Sequence, residues 1–99
     1  MGFLIMHFSA NKTVCYNGQF MSGQDVPVSV FSPGLQYGQG IMEGIRVYDT
    51  VDGSYLFKAE AHLERLREGA AWMKLEIPYS NLRLMQFMER LLLHHQARE

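Results

Sequence analysis

The chain is organised around residues 37–66, YGQGIMEGIRVYDTVDGSYLFKAEAHLERL. After a glycine-rich turn, Ile41 to Tyr48 predicts a strand that contains Gly44, and a glycine inside a strand is typical of a bulge. The Asp52-Gly53 turn signal joins this run to a second extended run, Ser54 to Phe57. The two runs therefore predict a β-hairpin, and the stretch ends in the first turns of an amphipathic helix.

A second hairpin is predicted upstream of this stretch. Thr13 to Tyr16 and Gln19 to Met21 are β-prone, and they flank Asn17-Gly18, a strong hairpin signal. Val26 to Phe31 alternates in part and contains a proline, which indicates an edge segment of a sheet. Residues 3–8 are apolar apart from His7 and predict a short strand or a tail.

Two helices are predicted downstream. The first runs from about Ala59 to Leu75, and the second begins after a capping Ser80 and runs to about His95. Spacings of three and four place one apolar face on each helix. The first face comprises Ala59, Leu63, Leu66, Ala70 and Met73, and the second comprises Leu84, Phe87, Met88, Leu91, Leu92 and His95. Strands followed by helices predict an α+β fold, a small antiparallel sheet of hairpins packed against two C-terminal helices, in one domain of residues 1–99.

The composition is that of a globular protein, with 47% hydrophobic and 19% charged residues. A net charge of −1, with both signs interspersed, argues against a nucleic-acid or acidic-lipid surface. Cys15 is the single cysteine, so no intrachain disulfide is possible, which fits a reducing compartment. The apolar N-terminal run is too short for a signal peptide or a membrane span, and we therefore expect a cytoplasmic protein without a membrane partner.

The glycines at 38, 40 and 44 do not form a dinucleotide fingerprint, because the spacing is one residue too long and a strand follows. They predict a tight turn with a bulge, or alternatively backbone that leaves room for a ligand. Tyr37 either offers its phenol to a ligand or fills the core. The four histidines and the cysteine show no metal-binding spacing, so no metal site is predicted.

Two arginines are the candidates for anion contacts. Arg46 lies on the predicted strand, and Arg65 lies on the first helix, off its apolar face and near Glu64 and Glu68. Taken singly, each is typical of a surface or ion-pair arginine. Taken together, they are two fixed cations that could face one anion, because the guanidinium fork matches phosphate and carboxylate.

These motifs combine in one known pattern. Residues 37–46 (YGQGIMEGIR), 48–49 (YD), 56–57 (LF) and 62–66 (HLERL) closely resemble the N-terminal domain of the class IV, fold-type IV, pyridoxal-phosphate aminotransferases. That family includes branched-chain aminotransferases, D-amino acid aminotransferases and aminodeoxychorismate lyases. The resemblance covers the chain from about Thr13 on, and the E-G-I-R sequence is most like that of the branched-chain enzymes.

The resemblance implies roles for individual residues. Arg65 matches the arginine that holds the phosphate of pyridoxal 5′-phosphate. Four other positions match residues that line or border the substrate pocket, some of them across a dimer interface, so a homo-oligomer is implied. Those positions are Tyr37, Met42, Gly44 and Arg46. Branched-chain enzymes usually have phenylalanine where this chain has Met42, which leaves the substrate preference open.

The implied reaction is amino-group transfer between a small apolar amino acid and a 2-oxo acid. In the family, the Schiff-base lysine and the acid that pairs with the pyridine nitrogen lie in a C-terminal domain. Lys12, Lys58 and Lys74 match neither position, so we expect no catalytic residue here and no transamination by this chain without that missing domain. The alternative is a stand-alone binding or assembly module, which keeps the fold without catalysis or binds a phosphorylated small molecule through Arg65.

Overall fold

The computed structural model describes residues 4–5 and 12–96, and it confirms the α+β class. Its strands are β1 (Leu4–Ile5), β2 (Thr13–Tyr16), β3 (Gln19–Ser22), β4 (Val47–Thr50) and β5 (Gly53–Leu56). Its helices are α1 (Pro33–Gln36), α2 (Ala59–Trp72) and α3 (Asn81–Gln96), with a 3₁₀ turn at Gly23–Asp25. The strands form two antiparallel sheets, β1-β2-β3 and β4-β5. Of the predicted N-terminal strand or tail at residues 3–8, residues 3 and 6–8 lie outside the described residues.

The predicted upstream hairpin is confirmed. Thr13 pairs with Ser22 and Tyr16 with Gln19, and the two turn residues both have positive φ, 51° at Asn17 and 81° at Gly18. Two positive φ values are the mark of a type I′ turn, whose twist matches that of the strands. A Cβ atom on Gly18 would also lie 3.3 Å from side-chain atoms of two core aromatics. Glycine therefore suits this position both because it adopts a positive φ readily and because it has no Cβ to crowd the two aromatic side chains.

The downstream hairpin is confirmed, but its first strand is shorter than predicted. Pairing begins at Val47, opposite Leu56, and the last bond beside it is donated by Phe57 N–H to the Arg46 carbonyl (2.8 Å). At Lys58 the backbone becomes left-handed (φ 52°) and helix α2 follows. Residues 41–46 consequently pair with no strand in the described part of the chain and carry no regular secondary structure, so the predicted bulge at Gly44 is wrong.

The predicted edge segment at residues 26–31 is also wrong, because these residues form irregular backbone and a turn. Their chain folds back locally, with Ser32 N–H donating to the Ser29 carbonyl (3.1 Å). Local hydrogen bonds of this kind use backbone groups that a sheet ladder would need.

Both long helices bury most of the predicted faces, with Leu92 and His95 of α3 only partly buried. The buried residues of α2 are Ala59, Leu63, Leu66 and Ala70. This helix ends three residues before its predicted end, because Lys74 adopts a left-handed conformation (φ 56°), and Met73 lies outside the core. Helix α3 is capped as predicted, with the Ser80 hydroxyl accepting from the Arg83 N–H (3.1 Å).

The core lies where α2 and α3 meet the first sheet. Its buried residues are Cys15, Ala59, Leu63, Leu66, Leu84, Phe87 and Met88. The far end of α3 is tied to β2, where His95 Nε2 lies 2.9 Å from the Thr13 carbonyl oxygen. The α2–α3 connection is held by the Arg67 guanidinium, which donates to the Tyr79 carbonyl and the Asn81 side chain.

The segment between the two sheets is far less buried than this core. Many of its large apolar side chains are mostly exposed, namely Val28, Val30, Phe31, Leu35, Tyr37 and Met42. A run of exposed large apolar side chains is unusual for a soluble monomeric domain. Among the described residues, neither long helix has the length and apolar character needed to cross a bilayer.

Candidate anion-binding site

The candidate site is built on one turn of helix α2 and on the irregular segment that precedes β4. Arg65 donates from Nε to Glu43 Oε2 and from a terminal nitrogen to Glu43 Oε1, both at 2.8 Å. His62 lies three residues before Arg65, and its Nδ1 is 2.7 Å from Glu43 Oε1. One carboxylate therefore binds two side chains of the same helix face, in the two-point geometry that suits guanidinium and carboxylate.

Glu43 lies beside α2 because residues 41–46 alternate between partly buried and exposed positions. Ile41, Glu43 and Ile45 are partly buried, whereas Met42, Gly44 and Arg46 are exposed. Both isoleucines pack against the core cluster, and in an extended chain successive side chains point to opposite sides. The packing of Ile41 and Ile45 therefore turns the carboxylate between them toward the helix.

The electrostatics of the cluster follow from this contact. Hydrogen bonds from Arg65, and then from His62, lower the pKa of Glu43 from 4.5 to about 2. The same contact with Glu43 raises the pKa of Arg65. The Glu43 side chain is only 12% exposed, but that of Arg65 is 69% exposed. At neutral pH the site is thus an ionised pair whose cation faces solvent.

The structure places the other predicted site residues on the surface of the neighbouring segment. Tyr37 ends α1, Arg46 immediately precedes β4, and both are exposed, as are Met42 and Gly44. Among the described residues, no hydrogen bond or ion pair joins any two of these residues or links one of them to Arg65. Met42, Gly44 and Arg46 nevertheless share one side of the chain, opposite to Glu43.

The partner of Arg65 was not predicted from the sequence. Glu64, which is adjacent to Arg65 in the sequence, accepts a hydrogen bond from the Asn81 side chain (2.8 Å), and Glu43 binds the arginine. Two signals in the sequence were available for this pair. Glu43 is two residues from Ile41 and from Ile45, which places all three on one side of an extended chain, and the partners of Glu43 are spaced by three residues on the helix. No carboxylate partner was predicted for His62. In the part of the chain that the structure describes, no group of three or more His, Cys, Asp or Glu side chains is arranged to hold a metal ion.

Several curated proteins are similar to this chain in sequence. No protein-family profile matches the chain. The branched-chain-amino-acid aminotransferase of Pseudomonas aeruginosa is 39% identical over 67 residues, 68% of this chain and 22% of that protein. The corresponding enzyme of Salmonella typhimurium is 34% identical over 73 residues, 74% of this chain and 24% of that protein.

A D-alanine aminotransferase also matches. The protein from Staphylococcus epidermidis is 35% identical over 79 residues, 80% of this chain and 27% of that protein. The chain thus spans about a quarter of the length of these curated relatives. These similarities confirm the resemblance to the fold-type IV aminotransferases, with branched-chain enzymes prominent among the matches.

Proposed function

We propose that this chain, similar in sequence to fold-type IV aminotransferases, is the N-terminal, phosphate-binding part of such an enzyme. In the assembled enzyme the reaction would transfer an amino group between a small apolar amino acid and a 2-oxo acid. The observation that carries the proposal is the presentation of Arg65. It lies in the H-L-E-R-L motif on α2, mostly exposed, with its orientation fixed by Glu43.

The donor set of Arg65 fits a phosphate group. A guanidinium has five N–H donors, and Glu43 accepts two of them through one face of the fork. Three N–H donors remain for the oxygens of a phosphate monoester such as that of pyridoxal 5′-phosphate. That cofactor, when bound, acts as an electron sink for amino-acid carbanions, and Arg65 would bind its phosphate.

The outward side of residues 42–46 would face the substrate. Met42 offers an apolar, flexible surface that suits an aliphatic side chain, and Arg46 offers a cation for a carboxylate. Gly44 carries no side chain, and a Cβ built there meets nothing within 4 Å. Together with Tyr37, these residues would form one wall of a cleft whose other wall comes from a partner domain or subunit.

The exposed apolar segment supports this need for a partner. Residues 28–57 leave many large apolar side chains in solvent, and we propose that a second domain and a second subunit cover them in a homo-oligomer. None of the three lysines matches the family's Schiff-base position, so we expect the chain alone not to transaminate. We place the protein in the cytoplasm, which suits its buried free thiol.

Titration of pyridoxal 5′-phosphate and of inorganic phosphate tests the proposal. Arg65→Ala should raise the dissociation constant about tenfold or more, because a charged hydrogen bond is lost. Arg65→Lys keeps the charge but not the fork, and it should recover only part of the affinity. Circular dichroism of each variant controls for folding.

Arg46→Ala is the matched variant for the second arginine. Equal losses in Arg46→Ala and Arg65→Ala would show that both cations face one anion, whereas a loss in Arg65→Ala alone assigns the phosphate to Arg65. Equal binding by wild type and Arg65→Ala would refute the phosphate role. Inorganic phosphate bound as tightly as the cofactor would instead favour the alternative, a module that binds phosphorylated small molecules in general.

A further inference from the structure

The Arg65 guanidinium is held by a carboxylate that is itself shielded from solvent. The two contacts from Glu43, both at 2.8 Å, use Nε and one terminal nitrogen of Arg65. An exposed arginine otherwise samples many rotamers, and a two-point contact selects one of them. We propose that Glu43 is a positioning residue, which orders Arg65 so that its three remaining N–H donors are ready for an oxyanion. This inference rests on the phosphate role of Arg65 proposed above.

The carboxylate is itself fixed from two directions. His62 Nδ1 lies 2.7 Å from the same Oε1 atom that accepts from Arg65. Two side chains about one helical turn apart on α2 therefore hold the Glu43 carboxylate. On the other side, Ile41 and Ile45 anchor the backbone that carries Glu43 to the core. A side chain with this support can impose an orientation on a mobile neighbour, which a freely rotating surface glutamate cannot do.

Charge alone predicts the opposite effect of Glu43. A carboxylate next to an anion site repels the anion, so a Glu43 that only lowered the local charge would weaken phosphate binding. Removing its charge would then strengthen binding. The positioning role predicts weaker binding after the same substitution, and the two explanations therefore differ in sign.

The first test compares dissociation constants for inorganic phosphate and pyridoxal 5′-phosphate. Glu43→Gln should raise both about tenfold, which corresponds to about 1.4 kcal/mol. Glu68→Gln is the matched control, since Glu68 is an exposed glutamate three residues after Arg65 on the same helix, and its removal should leave binding unchanged or slightly stronger. Glu43→Asp keeps the charge but is one methylene shorter, so it should weaken binding too. Unchanged or tighter binding by Glu43→Gln overturns the proposal.

A second measurement needs no ligand. In ¹⁵N NMR spectra, the Arg65 Nε–H should be rigid in wild type and become as mobile as that of exposed Arg46 in Glu43→Gln. If wild type binds neither ligand but shows this change, the phosphate function fails and the positioning role stands. An Arg65 Nε–H that is already mobile in wild type refutes the positioning role, whatever the binding data show.

Discussion

Replacement of Leu84 by alanine tests whether the core lies where α3 crosses α2 and the first sheet. The Leu84 side chain is 1% exposed and belongs to the same cluster as Cys15, Leu63 and Phe87. Alanine is a good helix former, so the substitution leaves α3 intact and removes only buried carbon atoms. Any loss of stability then reports packing between elements.

The expected loss is about 3 kcal/mol. Truncation of a fully buried leucine costs between about 2 and 5 kcal/mol, depending on how far the cavity collapses. A domain of this length has a free energy of unfolding of about 5–15 kcal/mol, so the variant should still fold. With a urea dependence of about 1.5 kcal/mol per molar, the midpoint of unfolding should fall by about 2 M.

The assay is urea unfolding followed by circular dichroism, with Leu82→Ala as the matched control. Leu82 is the same residue type on the same helix but is 68% exposed, so its truncation should change stability by less than about 0.5 kcal/mol. If the two variants unfolded at the same urea concentration, the inward face of α3 would be misassigned, and the proposed packing of the core would be refuted.

Three further outcomes are expected. The folded-state pKa of Glu43 is about 2, below its ordinary 4.5, so its contribution to stability is full above pH 4.5 and is lost as the pH falls toward 2. The difference in urea midpoint between wild type and Glu43→Gln should therefore shrink as the pH falls over that range. A difference that stays constant would contradict the lowered pKa of Glu43. Gly18→Ala should lower the free energy of unfolding by about 1–2 kcal/mol, whereas Gly40→Ala, with no atom within 4 Å of the new Cβ, should be near neutral. Thermal melting compares the two variants, and equal melting temperatures would count against the type I′ turn. Burial raises the pKa of the Cys15 thiol, so a thiol reagent should react slowly in the native protein and rapidly in denaturant, and fast native reaction would show that β2 is accessible.

Most of the fold could be predicted because its signals are local. Asn17-Gly18 and Asp52-Gly53 restrict their own backbone angles, and both hairpins form around them. The buried faces of α2 and α3 follow from apolar spacing along each helix. The strand predicted from Ile41 to Tyr48 is irregular over residues 41–46 for a non-local reason, since a run of β-prone residues becomes a strand only where another strand is present to pair with it.

In the candidate site, too, only the feature that depends on local sequence could be predicted. Arg65 could be selected from its motif, and the fork geometry of its guanidinium is a property of the residue itself. Its partner could not be selected in the same way, because Glu43 lies 22 residues earlier and meets it only after residues 41–45 pack onto the core. Turn types and helix faces depend on neighbours within a few residues, whereas an ion pair depends on where two separate segments are placed by the packing of everything between them.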